Sequence, residues 1–131
     1  MQQMSFIYAS VDDLEGTAKV GSTQCVVLVQ TYAKAPKTSS WKEGAVVRGN
    51  QKIAKGTAIA TFVGGKYPNA SSGNHAALYI SQDASGIKVM DQWFGPSKPK
   101  VSSRVLKFKG KNTAGGYTDP SNNGDAFSVI E

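Results

Sequence analysis

The sequence predicts an α+β domain in which a helix packs on an antiparallel β-sheet. One apolar segment, residues 23–34, has the features of a buried helix. Short runs rich in β-branched and aromatic residues follow it, separated by breaks that contain glycine, asparagine or proline. Because the helix comes first and the strands follow in series, the order indicates α+β. The strand-like runs span residues 45–47, 57–63, 75–80, 87–93, 101–108 and 126–130.

Residues 10–14 predict a short helical turn near the start of the chain. Ser10 is a candidate N-cap, and Asp12 and Asp13 suit the positive end of the helix dipole. Gly16 then ends the turn, because glycine readily adopts the left-handed conformation found after a helix.

Residues 23–34 are interpreted as a helix, with a strand as the competing interpretation. The segment is nearly continuous in apolar residues, which indicates a mostly buried element. Its valines are weak helix formers and would equally suit a strand. A cap site at Ser22 or Thr23 and the proline at Pro36 favour the helix.

Length and charge limit the class of protein. The chain has 131 residues, which fits a single domain over residues 1–131. Its formal net charge is +6, from 15 basic and 9 acidic residues. The loosely basic stretch at residues 98–111 lacks the interleaved aromatic residues of a nucleic-acid groove. We therefore expect a solvated basic surface and no nucleic-acid partner.

Signals for membrane insertion and for signal-peptide export are missing from the sequence. No apolar run approaches the ~20 residues needed to span a bilayer, so we expect no membrane span. Residues 1–10 have neither the basic nor the apolar region of a secretory signal. If the protein acts outside the cell that makes it, a route other than a cleaved signal peptide must export it.

The only cysteine, Cys25, is the candidate nucleophile. A lone cysteine allows no intramolecular disulfide and is most often a small buried hydrophobe. This one lies in the first turn of the predicted helix, where unpaired N–H groups and the dipole favour the thiolate. The same N–H groups can hold the oxyanion of a tetrahedral intermediate. Gly21 and Ser22 would let a substrate backbone come close.

The only histidine, His75, is the candidate base. A thiolate nucleophile needs a partner that takes and returns a proton near neutral pH, and histidine is suited to that role. A lone histidine is more often a satisfied surface or core residue, so the pair by itself is a weak signal. One cysteine and one histidine are too few for a zinc site, and we therefore expect no metal and no cofactor.

Longer strings around these two residues resemble the CHAP and NlpC-type amidases, which are papain-like. The string GSTQCVVLV at residues 21–29 holds the cysteine, and GNHAALYI at residues 73–80 holds the histidine. VMDQW follows at residues 89–93, and WKEG at residues 41–44 is similar to the tryptophan–glycine turn of that group. Over nearly the whole chain the sequence resembles the small amidase effectors of type VI secretion, and most closely the third of their families.

The resemblance implies a papain-like NlpC/CHAP-type fold, with a cysteine on a helix N-terminus, a histidine on the first sheet strand and a polar third residue on the next. It implies cleavage of peptidoglycan peptides through a thioester. The bond would be the D-alanyl–diaminopimelate cross-link in the third family and D-glutamyl–diaminopimelate in a sister family. Type VI delivery into a rival's periplasm and a cognate immunity protein are also implied. The expected supporting or substrate-binding residues are Gln24, Asn74, Gln92, Trp41 and Trp93.

Strand register predicts Asp91 as the third catalytic residue. If residues 82–86 form the hairpin loop, Ser81 lies opposite Ile87. The carboxylate of Asp91 is then diagonal to the histidine on the same face of the sheet. A loop of even length would instead turn Gln92 towards the imidazole. We favour the carboxylate, because it stabilises the imidazolium whereas an amide only orients the ring.

Two other classes of function stay open. The same scaffold could transfer the acyl group to an amine instead of water, and analysis of the products distinguishes the two. The other class is a non-enzymatic, basic β-rich binding module in which Cys25 is buried filler. Iodoacetamide labelling distinguishes that class, because a buried thiol does not react near neutral pH.

Overall fold

The computed structural model describes residues 5–131, which form an α-helix and a six-stranded sheet. Residues 1–4, part of the predicted domain and of the segment without signal features, lie outside the described residues. The helix α1 spans Cys25–Tyr32, and the strands are Glu43–Val46 (β1), Ala58–Thr61 (β2), Ala76–Gln82 (β3), Gly86–Asp91 (β4), Ser102–Lys107 (β5) and Phe127–Ile130 (β6).

The sheet is antiparallel throughout, in the order β1-β6-β2-β3-β4-β5. All six predicted strands are present, and their ends lie within about two residues of the prediction, the usual uncertainty of strand ends. The α+β prediction is confirmed. Among residues 5–131, no helix is both long enough and apolar enough to cross a membrane.

Both predicted helical segments are present, the first with the predicted bounds and the second shorter than expected. The first is a 3₁₀ helix, Val11–Leu14, and the Ser10 side chain makes no capping hydrogen bond. The second is α1, so the helix interpretation is confirmed and the strand interpretation is wrong. Its N-cap is Gln24 rather than Ser22 or Thr23, which makes Cys25 the first helical residue.

The sheet is covered on both faces. On one face, alternate residues of the central strands pack with Leu28 and Val29 of α1, each of which is fully buried. Burial of side chains of this size stabilises the fold by about 1.5–3 kcal/mol each. Loop residues, including Val47 and Phe108, cover the other face. Because side chains alternate along a strand, consecutive residues of β4 serve different faces.

The β3–β4 hairpin has the predicted register near its open end but not at its turn. Ser81 lies opposite Lys88, not opposite Ile87 as predicted. The pair Gln82–Ile87 encloses four residues, 83–86, rather than five, and a β-bulge between Tyr79 and Ser81 compensates for the one-residue shift. The predicted loop length is therefore wrong, while the pairing beyond the bulge is as predicted. The observed pairs are Leu78–Met90, Tyr79–Val89, Ser81–Lys88 and Gln82–Ile87.

The basic stretch at residues 98–111 is only partly solvated. Lys98 is 5% exposed, so the expectation of a solvated basic surface is wrong for this residue. Its ammonium group is buried because it pairs with a carboxylate of the candidate site. The other lysines of the stretch are exposed: Lys100, Lys107, Lys109 and Lys111.

Candidate active site

Cys25, His75 and Asp91 come from three separate segments that meet at one end of the sheet. Cys25 begins α1, His75 directly precedes β3, and Asp91 is the last residue of β4. Since β3 and β4 are antiparallel, the start of one strand lies beside the end of the other. The sheet thus brings together the histidine and carboxylate predicted from the register.

The imidazole of His75 bridges the carboxylate and the thiol. Its Nε2 lies 2.8 Å from Oδ2 of Asp91, and both side chains are buried. Nδ1 is the ring nitrogen left for Cys25, and the thiol and the imidazole are close enough for each to shift the pKa of the other. The rings of Trp93 and Phe127 lie edge-on to the imidazole, each with its centroid 6.3 Å away. The order is that of a carboxylate–imidazole–thiol triad.

Asp91 is fully buried and is neutralised by two cations in addition to the imidazole. Nε of Arg104 donates to Oδ2 at 2.7 Å, and Nζ of Lys98 lies 2.9 Å from Oδ1. The contact with Lys98 is ionic rather than a well-aligned hydrogen bond, because Oδ1 has no partner of good hydrogen-bond geometry. Burial raises the pKa of Asp91, but His75 and the two cations outweigh it and set the pKa at about 2.

The surroundings favour a thiolate–imidazolium pair. Burial raises the pKa of Cys25, but the hydrogen bond to His75 and the imidazolium charge prevail and lower it. The N–H of Ala76 and the hydroxyl of Tyr67 also lower the pKa of Cys25. Burial lowers the pKa of His75, while Asp91 and the thiolate raise it, and the net shift is upwards. Both shifts stabilise the charged forms.

Tyr67 is a site residue that the sequence analysis missed. Its hydroxyl lies 3.8 Å from Sγ of Cys25, and burial and the thiolate raise its pKa, so it stays protonated. Trp41 packs on it with ring centroids 4.8 Å apart, and Nε1 of Trp41 donates to the carbonyl of Pro36 at 2.8 Å. Trp41 thus supports Tyr67 from beneath and does not line the cleft.

Gln92 does not reach the imidazole; it binds the segment before the cysteine. Residues 20–24, which we term the nucleophile loop, lead into α1. The fully buried amide of Gln92 accepts from the N–H of Val20 at 2.9 Å and donates to its carbonyl at 3.2 Å. It also donates to the carbonyl of Gln24 at 2.8 Å. Gln92 therefore fixes both ends of this loop.

The backbone of the nucleophile loop is unusual at two positions. Gly21 has a φ of 57°, and a Cβ there would lie 2.5 Å from Cγ1 of Val27. Thr23 has a φ of 71°, a region that β-branched residues rarely adopt. Gly21 and Ser22 are both exposed, and neither is among the residues that line the cleft. The glycine allows close approach to α1.

The triad opens into a cleft of about 700 Å³. Of the predicted supporting residues, Gln24, Asn74 and Trp93 line it. Asn74 accepts from the N–H of Ala70 and, through its carbonyl, from the hydroxyl of Ser121 at 3.1 Å, which shapes the loop over residues 69–74. Within residues 5–131, no group of three or more His, Cys, Asp or Glu side chains is placed to hold a metal ion.

Trp93 lies between the imidazole and the two cations. Its Nε1 donates to the hydroxyl of Ser97 at 2.9 Å. Nζ of Lys98 and Cζ of Arg104 lie 4.8 and 4.7 Å from its ring, within range of cation–π attraction. The indole therefore orders these cations as well as the histidine.

Comparison with known proteins identifies similar chains over nearly the full length. The family model for domesticated amidase effector 2 matches residues 2–130. A type VI secretion amidase effector 2 protein from Salmonella typhi is 45% identical, over 98% of this chain and 100% of its own. A domesticated amidase effector 2 from Ixodes scapularis is 36% identical, over 86% of this chain and 73% of its own.

Structural comparison agrees with the sequence matches. A solved structure of type 6 secretion amidase effector 2 superposes with a TM-score of 0.90 at 45% identity, covering 96% of this chain and 94% of the other. The predicted resemblance to type VI amidase effectors and the papain-like fold are confirmed. The placement in the third family is wrong, because the family model and the similar proteins are all amidase effector 2.

Proposed function

The chain belongs to the amidase effector 2 family, a group of type VI secretion amidases, and from that premise we propose its mechanism and its bond. It is a peptidoglycan amidase. We propose that it hydrolyses cross-link peptides through a thioester on Cys25. The single observation that carries the mechanism is the buried hydrogen bond between His75 and Asp91 beside that thiol.

Acylation begins from the thiolate–imidazolium pair. The thiolate attacks the scissile carbonyl carbon, and a new C–S bond forms as the carbonyl oxygen takes the negative charge. The N–H groups of Cys25 and Val26 lie at the start of α1, where backbone N–H groups have no intrahelical acceptor, and they hold this oxyanion. The hydroxyl of Tyr67 and the side chain of Gln24 border the same space.

Breakdown of the tetrahedral intermediate needs a proton for the leaving amine. His75 supplies it from Nδ1, since Nε2 is held by Asp91, and the C–N bond breaks. The neutral imidazole then takes a proton from water, which attacks the thioester and frees Cys25. Asp91 fixes the tautomer and stabilises the imidazolium without itself gaining a proton, in keeping with its low pKa.

The proposed bond is the D-alanyl–diaminopimelate cross-link. The matches are to amidase effector 2, so the resemblance to the third family does not support this bond. The support lies in the cleft, whose volume of about 700 Å³ is ample for peptide on both sides of the bond. Cleavage at D-glutamyl–diaminopimelate by the same mechanism is the alternative. Family membership sets aside the non-enzymatic binding module, and acyl transfer to an amine is distinguished by the products.

We also propose delivery through the type VI apparatus into the periplasm of a target cell. A producer of such an enzyme needs protection from its siblings, so a dedicated immunity protein accompanies it. Periplasmic expression with the neighbouring genes deleted tests this: we expect lysis. Survival of that strain with active enzyme present would argue against an immunity protein.

The experiment for the proposed function compares wild type with Cys25→Ala on purified sacculi. We expect the variant to lose at least a hundredfold in rate, because removal of a covalent nucleophile leaves only binding and the oxyanion site. Its melting temperature should barely change, since the thiol lies at a partly exposed helix start. Activity should survive EDTA and fail after iodoacetamide treatment. Loss in EDTA that zinc restores would refute the thiol mechanism.

A further inference from the structure

Among residues 5–131, one cationic side chain besides the imidazole lines the cleft, and no acidic side chain does. Arg104 is that cation, and it contacts Trp93 and Asn122, which also line the cleft. Asp91 is shielded behind the arginine and is fully buried, so its charge does not face the cleft. A cleft of this kind suits a substrate that presents a negative group.

The guanidinium of Arg104 is held by three contacts but retains unused hydrogen-bond donors. Nε donates to Asp91 at 2.7 Å and Nη1 to Oδ1 of Asn122 at 2.7 Å. Nη2 makes a longer contact, 3.4 Å, with the carbonyl of Ser121. Arginine has five N–H donors, so these contacts leave part of the fork free, and the side chain remains 24% exposed. Three cations, Lys98, Arg104 and Lys109, face two carboxylates, Asp91 and Asp119, so the cluster retains positive charge.

Arg104 lines the same cleft as Cys25 and His75 and is linked to the imidazole through Asp91. Two hydrogen bonds, of 2.8 and 2.7 Å, connect the imidazole through Asp91 to Nε of Arg104. Because His75 protonates the departing nitrogen, that nitrogen and its substituents lie beside the imidazole, in the cleft that Arg104 also lines.

We propose that Arg104 binds the carboxylate carried by the same carbon as the leaving amine. In a D-alanyl–diaminopimelate cross-link, that carbon of diaminopimelate bears a free carboxylate. In a D-glutamyl–diaminopimelate bond, the equivalent carbon continues into the next peptide bond, and the nearest free carboxylate lies on the acyl side. This recognition rests on the proposed function and selects the cross-link bond, since an arginine fork matches a carboxylate with paired hydrogen bonds.

The test uses two synthetic cross-linked peptides that differ in one group, the free carboxylate or a carboxamide at that carbon. For wild type, we expect amidation to lower kcat/KM by roughly ten- to a hundredfold, the usual range for a hydrogen bond to a charged group. In Arg104→Gln, the ratio between the two peptides should fall to about one. Arg48→Gln, which removes an exposed arginine paired with Asp125 outside the cleft, should keep the wild-type ratio.

The ratio of kcat/KM between the two peptides distinguishes recognition of the carboxylate from the structural support that Arg104 gives to Asp91. A purely structural role would lower the rate on both peptides equally and leave the ratio unchanged. If Arg104→Gln has no measurable turnover, binding can be measured in the inactive Cys25→Ala background. The ratio of the two peptides' dissociation constants is then compared between Cys25→Ala and the double variant that also carries Arg104→Gln.

Three outcomes would overturn the inference: a wild type indifferent to amidation, an unchanged ratio in Arg104→Gln, or a loss only when the D-glutamyl carboxylate is amidated. Failure of wild type to cleave either peptide at the cross-link would instead refute the proposed bond. The two failures are therefore distinguishable.

Discussion

Asp91 is the most heavily paired side chain of the site, and its contacts explain why a carboxylate can be fully buried there. Isolated burial of an ionised carboxylate costs several kcal/mol, and the imidazole and two cations offset that cost. The pKa of Asp91 is depressed from 3.8 to about 2, so the stability it contributes is present above its unfolded pKa. That contribution is lost as the pH falls towards 2.

Asp91→Asn should reduce both activity and stability. We expect kcat to fall by about 10³–10⁴-fold, because the amide neither stabilises the imidazolium nor fixes the correct tautomer. The free energy of unfolding should fall by about 3 kcal/mol, because Lys98 and Arg104 lose their buried counter-charge. Steady-state kinetics and urea denaturation measure the two effects.

The matched control for that variant is Asp12→Asn, which breaks an exposed ion pair with Lys55. Exposed pairs contribute at most about 1 kcal/mol, so neither stability nor kcat should change much. A wild-type kcat in Asp91→Asn, with most of the kcat lost in Gln92→Ala, would show that the amide and not the carboxylate is the third residue.

The thiolate–imidazolium pair predicts the pH dependence of alkylation. Because the pKa of Cys25 is lowered, iodoacetamide should label it well below the pH at which an ordinary thiol ionises. The rate should decline as the pH falls below the pKa of the thiol, where the sulfur regains its proton. Turnover should decline again at high pH, where His75 loses its raised-pKa proton. A labelling midpoint near that of free cysteine would contradict the pair.

At the scale of elements, the connection between the sheet and the nucleophile loop is the feature that positions the thiol. Gln92 follows β4 and, on the face opposite Asp91, binds Val20 and Gln24 across more than sixty residues of chain. At the end of β4, Asp91 therefore orients His75, and the next residue, Gln92, holds the nucleophile loop. The positive φ of Thr23 shows that this loop adopts a conformation its sequence alone does not favour.

Gln92→Ala should lower kcat by about tenfold or more with little effect on KM. Loss of the amide leaves buried backbone groups of the loop without partners, at a cost of about 1–3 kcal/mol, and frees the loop to relax. The alkylation rate of Cys25 should fall with kcat, since the relaxed loop would no longer hold the thiol beside His75. Kinetics and labelling at one pH check both expectations.

Gln82→Ala provides the control, because Gln82 also holds a loop through its amide, far from the site. It donates to the carbonyls of Val47 and Asn50 and accepts from the N–H of Gly49. We expect a comparable loss of stability with unchanged kcat. Equal losses of kcat in both variants would mean that Gln92 acts only through general stability.

The register of β3 and β4 shows how far the sequence determines this site. Alternation along two adjacent strands places Asp91 beside His75, and this could be predicted because a short hairpin joins the strands. The bulge in β3 could not be foreseen, since a shorter loop and an extra strand residue cancel in the pairing.

Arg104, Lys98 and Tyr67 escaped prediction for a different physical reason. Arg104 pairs with Val89 across β4 and β5, and the long connection between these strands leaves their register open to any offset. Lys98 lies in that connection, and Tyr67 lies in a break without periodicity. Contacts made by such segments depend on tertiary packing, which local patterns do not encode.

At the scale of the whole molecule, the site lies where elements from most of the chain converge. The helix covers one face of the sheet, loops cover the other, and the triad lies where the start of α1, the start of β3 and the end of β4 meet. The net charge of +6 suits approach to an anionic wall, and Arg104 lines the cleft that holds the reacting groups. The net charge thus serves attraction to the wall, and the charge of Arg104 serves recognition within the cleft.

The most direct test of the account is mass spectrometry of muropeptides after digestion of cross-linked sacculi with wild type and with Cys25→Ala. We expect wild type to convert dimers into monomers whose stems end in D-alanine with a free carboxyl group, and the variant to leave the dimers intact. Stems shortened to D-glutamate would contradict the proposed bond, and dimer cleavage by Cys25→Ala at a rate near wild type would contradict the thioester mechanism itself.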